Sequence, residues 1–438
     1  MVNFYIWKLE YNLCYVKYET VRGDGRHLKR RNKISNLYLL ISWGGVLSFV
    51  IVLLFKRIDI SQWLVMEHNY QYQFSDFFRQ IVYASDLKNI YCNTGDAPFP
   101  PLAYLFFYVL HQINPIDVPI ELKSWRLVQD YQFNLLVYVM CMIIWVVFFV
   151  EIVKRILREY KSNIIIAFIL SVLFSAPFMT GAIERGNISI VVCVLLLWAI
   201  YLKDSEIIWK KELALILIAI AASLKIYPAI LGFIYLWEKR WKEAGKLLIY
   251  GILFFFVPFV FTGGVEGLKQ YLKVLNSFEN INVCRWTNIR SFLSAILSKC
   301  NAGKYQLNAY LGIVIENIYF IICLLSAFIT KEKWKCILFL SGIMSLYVSN
   351  SYRYVAIYMV LPLVFWLEQQ KGQRRDYVYC VLFALIFTIP TYGYFIRGEV
   401  DFFIFLPIYL VVIYSILETW FVKTHSSFYK IVVKGIPN

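Results

Sequence analysis

The chain reads as an all-α polytopic membrane protein with about twelve transmembrane helices and a long first outer loop bearing juxtamembrane helices. Three observations carry that reading. Hydrophobic residues make up 60% of the 438-residue sequence, aromatics 18% and charged residues only 16%, a balance that a water-exposed globular surface does not tolerate. Many apolar runs approach the roughly 20 residues a helix needs to cross a hydrocarbon core. Clusters of Lys and Arg close the returning runs, as the positive-inside rule expects of cytoplasmic loops.

The formal net charge of +16 therefore has a membrane explanation. Basic loops meet anionic headgroups, and no basic stripe with stacking aromatics in a polar domain points to nucleic acid. The nine cysteines stand singly, and Cys141, Cys193, Cys323, Cys336 and Cys380 fall in apolar runs, where they read as small core residues. Cys284 and Cys300 share one outer loop, and their pairing in an oxidising compartment stays open. His27, His68, His111 and His425 show no zinc-ligand spacing, and no metal is expected.

Taken in order, residues 1–36 form a cytoplasmic N-terminal segment. They hold no short apolar core with a small-residue cleavage site, so no signal peptide is read. Arg26, Lys29, Arg30, Arg31 and Lys33 precede the first span, Leu37 to Phe55, and fix its start inside. Residues 37–261 form a core module that contains the first outer loop, 56–130. The apolar piece Leu102 to Leu110 follows Pro100 and Pro101 and is too short to cross, so it is expected to lie on or dip into the membrane.

Span two (Phe133 to Val150) returns to Lys154, Arg155, Arg158 and Lys161. Span three (Ile164 to Met179) leads out to the corner GAIERGN, and span four (Ile188 to Leu202) comes back to Lys203. Leu213 to Trp237 holds Lys225 and Pro228 in its middle and is either one kinked span or a hairpin of two short ones. The basic run Lys239, Arg240, Lys242 and Lys246 favours the hairpin, with Lys225 near its outer tip. Span seven (Leu247 to Phe261) opens the second outer loop, 262–305. Residues 306–422 hold the C-terminal transmembrane helices, with expected spans Leu307 to Ile329, Cys336 to Val348, Val355 to Leu367, Tyr377 to Phe395 and Phe402 to Phe421. Residues 423–438 form a basic cytoplasmic tail. No internal repeat is visible, which argues against repeat-built transporter folds.

The residues with chemistry to offer gather in the outer segments. Asp76, in SDFFRQ, is a candidate base, and Arg79 lies one helical turn on and shares its face. The plain alternative for Asp76 is a solvated or helix-capping role after Ser75. Asp86 and Asp96 read as solvated or capping residues, and Asp96 beside Gly95 looks like turn chemistry. Glu184, Arg185 and Asn187 place polar side chains between two apolar runs, where ionisable groups normally face a cavity or a partner. A structural pairing of Glu184 with Arg185 is the alternative there. Asn187, Ile188 and Ser189 also fit a glycosylation sequon, against which their place at a span start argues. Lys225, beside Tyr227 in SLKIYP, must snorkel or find an anion such as a lipid phosphate; otherwise it marks the membrane edge. Arg285, Trp286, Asn288, Arg290 and Ser291 in the second outer loop suit sugar or phosphate, as do Tyr352, Arg353 and Tyr354 at a later turn. Both groups are equally ordinary for interfacial loops.

SDFFRQ, DAPFPPLAYLFFY, ERGNISIVVCVLLLWAIYL and LKIYPAILGFIYLWEKRW, in this order, resemble the GT-C superfamily of polyprenyl-phosphate-sugar-dependent glycosyltransferases, closest to glycosyltransferase family 87. RGN and KIYP are also similar to segments of the glycosylphosphatidylinositol mannosyltransferases. The resemblance covers Phe74 to Phe261, and the remaining spans follow it by pattern.

It implies a GT-C fold and a multi-pass enzyme of a bacterial plasma membrane with its active site outside. Such an enzyme would transfer a mannose-like hexose from a polyprenyl-phosphate sugar to a lipid- or glycan-linked acceptor, with inversion and without metal or cofactor. By position Asp76 matches the family's proposed base, and Arg185 and Lys225 match positions near the lipid-phosphate end of the donor. Arg79, Glu184, Asn187, Tyr227, Arg285, Asn288, Arg353 and Tyr354 complete the expected substrate contacts. The chain departs from the anchor mannosyltransferases in having Phe77 and Phe78 after Asp76 instead of a DxD-type pair. It has Tyr352, Arg353 and Tyr354 where some members carry a histidine, and Asn288 and Ser291 match only loosely a common Asn-Gln-Ser pattern. Two further readings compete: a polymerase or ligase using polyprenyl-diphosphate glycans, and a non-enzymatic lipid or glycan transporter. The latter predicts broken helices in several spans, and only the Lys225 region has that character.

Overall fold

Lipid is as apolar as a protein core, so helices in such a chain need no polar face, and their apolar residues run around the whole circumference. The computed structural model describes residues 25–56, 74–93, 97–113, 132–183, 185–278, 287–300, 309–348, 352–388 and 400–434, among which there is no strand. The helices are α1 (Gly25–Lys56), α2 (Ser75–Ala84), α3 (Pro101–Ile113), α4 (Gln132–Ile156) and α5 (Ser162–Leu173). They continue with α6 (Ser189–Leu202), α7 (Ile208–Leu224), α8 (Tyr227–Trp237), α9 (Trp241–Phe256) and α10 (Gly264–Phe278). The set closes with α11 (Ile289–Cys300), α12 (Ala309–Ile329), α13 (Lys333–Leu346), α14 (Val360–Gln369), α15 (Arg374–Ile386) and α16 (Val400–Lys434).

Burial separates a centre from a periphery. Every residue of α13 from Trp334 to Leu346 is buried, as is α14 from Val360 to Leu367 and most of α6. By contrast α9 has no fully buried residue, and its Leu248 and Ile249 are 66% and 58% exposed. Apolar surface on that scale belongs against lipid tails. Among the described residues four helices are long and apolar enough to cross a membrane: Leu135–Ile156, Trp241–Phe261, Tyr310–Ile329 and Phe402–Phe421. Four further apolar helices, Pro101–Ile113, Ser162–Leu173, Ser189–Leu202 and Tyr227–Trp237, are shorter, and irregular turns adjoin some of the bundle's helices. A π-helix, Pro177–Ile183, follows α5, and a 3-10 helix, Arg353–Met359, leads into α14.

Charged side chains tie the loops together at one end of the bundle. Arg31 of α1 pairs with Glu159 at 2.5 Å and donates to the Glu368 carbonyl at 2.6 Å. Lys333 pairs with Asp204 at 2.6 Å, and the fully buried Lys203 pairs with Asp204 at 2.8 Å and with Glu238. Arg375 pairs with Glu332 and, at 2.7 Å, with Glu418, which Lys335 also meets at 2.9 Å. These contacts bring together the loops in which positive charge was expected to collect. They also decide between the two readings of Leu213 to Trp237. Lys203, ahead of α7, meets Glu238, just past α8, so both ends of the stretch lie at the same end of the bundle. The chain breaks at Lys225, whose backbone is extended, and α7 with α8 forms a hairpin.

The opposite end carries short helices from the segments expected as outer loops. There α2 packs on α3 through Phe77 and Phe107, whose rings meet edge to face at 5.8 Å. Tyr271 of α10 packs on Tyr91 at 5.1 Å, and Arg290 of α11 reaches Glu316 of α12 at 3.5 Å. Helices α10 and α11 occupy a stretch that the sequence reading had as loop. The expected eleventh span, Tyr377 to Phe395, is helical to Ile386, and residues 389–399 lie outside those described. Helix α16 runs past the expected span end at Phe421 to Lys434, into the segment expected as a tail.

Candidate active site

The corner after α5 is built to press against α2. Gly186 has φ +66°, a conformation that costs a residue with a Cβ, and a Cβ there would sit 2.7 Å from Phe77 Cβ and 3.3 Å from Phe74 Cα. Glycine thus permits the backbones to approach closely enough for the Asp76 amide to donate to the Arg185 carbonyl at 2.9 Å. Phe74, just before α2, is itself left-handed with φ 53°, an uncommon state for a bulky side chain. Its carbonyl accepts from the amides of Phe77 and Phe78, and its ring packs on Tyr138 at 4.5 Å. Tyr138 in turn donates its hydroxyl to the Ile183 carbonyl at 2.5 Å, which ties α4 to the π-helical corner.

A polar chain starts from this junction and runs inward. Asn187 Nδ2 donates to Asp76 Oδ2 at 2.7 Å. On its other side Asn187 Oδ1 accepts from Lys225 Nζ at 2.6 Å, from Ser189 Oγ at 2.7 Å and from the Ser189 amide at 3.1 Å. Lys225 Nζ also donates to Ser189 Oγ at 2.9 Å. The Arg185 guanidinium lies 3.7 Å from Asp76 Oδ1, beyond a direct hydrogen bond but well within strong attraction. Both side chains are partly open, Asp76 at 20% and Arg185 at 17% exposure.

Lys225 is 3% exposed, and burying an ammonium is tolerable only when its donors and charge are matched. Two oxygens and three rings meet that need. Tyr354 presents its face at 4.0 Å from Nζ, Phe99 at 5.3 Å and Tyr227 at 5.6 Å, distances at which aromatic quadrupoles attract a cation. Arg185 is covered likewise by Tyr352 at 4.7 Å. Tyr227 meets Tyr358 hydroxyl to hydroxyl at 3.2 Å, which fixes the ring beside Lys225. Pro228 opens the first turn of the 3-10 helix after Lys225, a position where its missing N–H is harmless.

Of the residues singled out in the sequence, the structure brings together Asp76, Arg185, Asn187, Lys225, Tyr227 and Tyr354. Arg79 turns instead to Tyr83 of its own helix, donating from Nε at 2.7 Å, and Asp76 bonds to the corner. Asn288 precedes α11, where its Oδ1 accepts from the Ser291 amide at 2.8 Å as a helix cap does. Arg353 is the half-buried first residue of the 3-10 helix leading to α14. Asp86 caps the 3-10 turn Leu87–Asn89, its side chain accepting from the Asn89 amide, in keeping with a capping residue. Glu184, Arg285, Trp286, Asp96 and Cys284 lie outside the described residues. Ser189, Phe99 and Tyr358 join the cluster without having been weighed as site residues, and Tyr352, weighed together with Arg353 and Tyr354, joins it over Arg185. Ser189 was in view as part of the sequon Asn187, Ile188, Ser189, whose hydroxyl serves the cluster here.

Chemically, the cluster offers a carboxylate with one oxygen anchored by an amide and the other beside a guanidinium, backed by a buried ammonium. That arrangement can take up a proton at the carboxylate and stabilise negative charge developing near Arg185. Among the described residues no three His, Cys, Asp or Glu side chains gather as a metal ion would need.

The model of glycosyltransferase family 87 fits residues 98–349, a stretch that includes the corner, Lys225 and α13 and begins downstream of Asp76. No curated protein matches the chain.

Proposed function

This chain belongs to glycosyltransferase family 87, and on that footing we propose that it transfers a mannose-like hexose from a polyprenyl-phosphate sugar to a lipid- or glycan-linked acceptor. The transfer takes place at the outer face of a bacterial plasma membrane. The observation that supports this reading best is the polar cluster in which Asn187 links Asp76 to Lys225 by two hydrogen bonds and the Arg185 guanidinium lies 3.7 Å from the Asp76 carboxylate.

The reaction needs a base and a place for charge. The acceptor hydroxyl attacks the anomeric carbon from the face opposite the phosphate, and its proton passes to the Asp76 carboxylate. The bond from the anomeric carbon to the phosphate oxygen breaks, and polyprenyl phosphate leaves with one more negative charge than it had in the donor. Configuration inverts. Arg185, the more exposed cation, meets that charge, and the buried Lys225 adds its field in a site of low dielectric. General-base help of this kind is worth on the order of 10²–10⁴ in rate. A phosphate leaving group makes the chemistry feasible without a metal ion.

The same reading has about twelve crossings. It is supported by the ion pairs that gather the loops at one end and by the outer helices and polar cluster at the other. The test is to incubate the purified full-length protein with a panel of polyprenyl-phosphate sugars and candidate lipid acceptors, and to analyse the lipid products by mass. A product heavier by one hexose, with free polyprenyl phosphate released, is expected. Transfer only from loaded polyprenyl diphosphates, or transport without bond formation, would replace this reading.

A further inference from the structure

Asn187 was expected to touch substrate, but its side chain has almost nothing left to offer one. An amide oxygen has two lone pairs, and here three donors already converge on it: Lys225 Nζ, Ser189 Oγ and the Ser189 amide. Its nitrogen is directed at Asp76 Oδ2, and the residue is 2% exposed. The orientation of the amide is not free either. Flipping it would set an NH2 group against an ammonium and a backbone N–H, so the three donors fix Oδ1 inward and Nδ2 toward the carboxylate.

We propose that Asn187, locked by Lys225 and Ser189, is a positioning residue that holds Asp76 through Oδ2 and so leaves Oδ1 as the oxygen that receives the acceptor's proton. This inference rests on Asp76 being the base. The link joins the outer end of α6 and the break between α7 and α8 to the first turn of α2, three elements remote in sequence. Lys225 has a second task in this arrangement. With two donors committed and a ring at 4.0 Å, its ammonium sets the polarity of the Asn187 amide. Carboxylate placement matters because a shift of about 1 Å in a reacting group can lower a rate about 100-fold.

The test uses the full-length protein in detergent or nanodiscs, with the polyprenyl-phosphate hexose that the wild type accepts. Asn187→Ala is expected to lower kcat about 100-fold while KM for donor and acceptor stays within about threefold, since the residue acts through the base. Asn187→Asp, which keeps the acceptor for Lys225 but loses the donor to Asp76, is expected to fall at least as far. In the Asp76→Asn background, Asn187→Ala should change the residual rate by less than about threefold. A raised KM with unchanged kcat, or fully additive losses, would overturn the proposal and return Asn187 to substrate binding. If Asp76→Asn is slow but the Asn187 variants turn over normally, the positioning role fails and the base assignment stands. If Asp76→Asn turns over normally, both fail. Should neither Asn187 variant yield folded protein, Ser189→Ala removes one of the locking donors. It is expected to lower kcat about tenfold at constant KM, and normal turnover in it would overturn the proposal.

Discussion

Asn187 Nδ2 donates to Asp76 Oδ2 at 2.7 Å across 111 residues of chain. The bond joins the corner of the α5–α6 connection to the first turn of α2, and the close approach at Gly186 makes it geometrically accessible.

Gly186→Ala is expected to destabilise the protein by about 1–3 kcal/mol, because it adds a Cβ 2.7 Å from Phe77 Cβ at a left-handed position. Thermal unfolding of the detergent-solubilised protein measures the shift. Sugar transfer should fall further than the lost stability explains, since the clash pushes α2 and Asp76 off the corner.

Lys225→Ala is expected to impair use of the polyprenyl-phosphate donor more than use of the acceptor. The ammonium is held by Asn187 and Ser189, and in the proposed reaction its field acts on the departing phosphate. Separate titrations of donor and acceptor in a membrane assay measure this, and a loss confined to the acceptor would count against it.

The ring of Tyr352 lies over Arg185 at 4.7 Å, so its face meets the guanidinium. Tyr352→Phe should therefore transfer at close to the wild-type rate, whereas Tyr352→Ala should lose about 0.5–2 kcal/mol of the attraction that orients the guanidinium. Initial rates at limiting donor distinguish the two, and equal losses would assign the effect to the hydroxyl instead.

The loop network at the other end makes a prediction about acid stability. Burial alone raises the Asp204 carboxyl, but Lys333 and Lys203 outweigh it and hold the group below its ordinary value of 3.8. A carboxyl lowered in the folded state contributes stability that is present above the unfolded value and is lost as pH falls through the folded one. Melting temperature in detergent should therefore drop below about pH 4. Lys203→Met, which leaves the Asp204 and Glu238 carboxylates without their buried partner, should destabilise by about 1–3 kcal/mol near neutral pH, less than a fully buried pair because both carboxylates are partly exposed.

Much of this architecture is legible from composition and charge. The apolar runs place most helices within a few residues, and the Lys and Arg clusters anticipate which loops meet at one end. The rule about positive charge correctly favours the hairpin at Lys225, because a cluster such as Lys203, Asp204 and Glu238 can form only if both ends of that stretch return together. The irregular turns were not legible. A π-helix at Pro177–Ile183 and a 3-10 helix at Arg353–Met359 have no apolar period of their own, and tertiary contacts fix them.

Partners within the site were less legible than its members. Sharing a helix face says that Arg79 and Asp76 are able to meet, but Asp76 takes Asn187 and Arg185 from a distant corner, and Arg79 takes Tyr83. Ser189 and Phe99 are ordinary residues in a sequence, and Tyr227 and Tyr354, though singled out, were expected to touch substrate and not a lysine. Only the folded arrangement makes them a lining for a buried charge.

The account stands or falls on Asp76 as the base. Asp76→Asn keeps the size of the side chain and an oxygen for the Asn187 amide, so the fold should be undisturbed and the melting temperature unchanged. Turnover of a polyprenyl-phosphate hexose by the purified variant, measured by mass of the lipid product, should fall by about 10²–10⁴ relative to wild type. Wild-type turnover at equal protein concentration would contradict it.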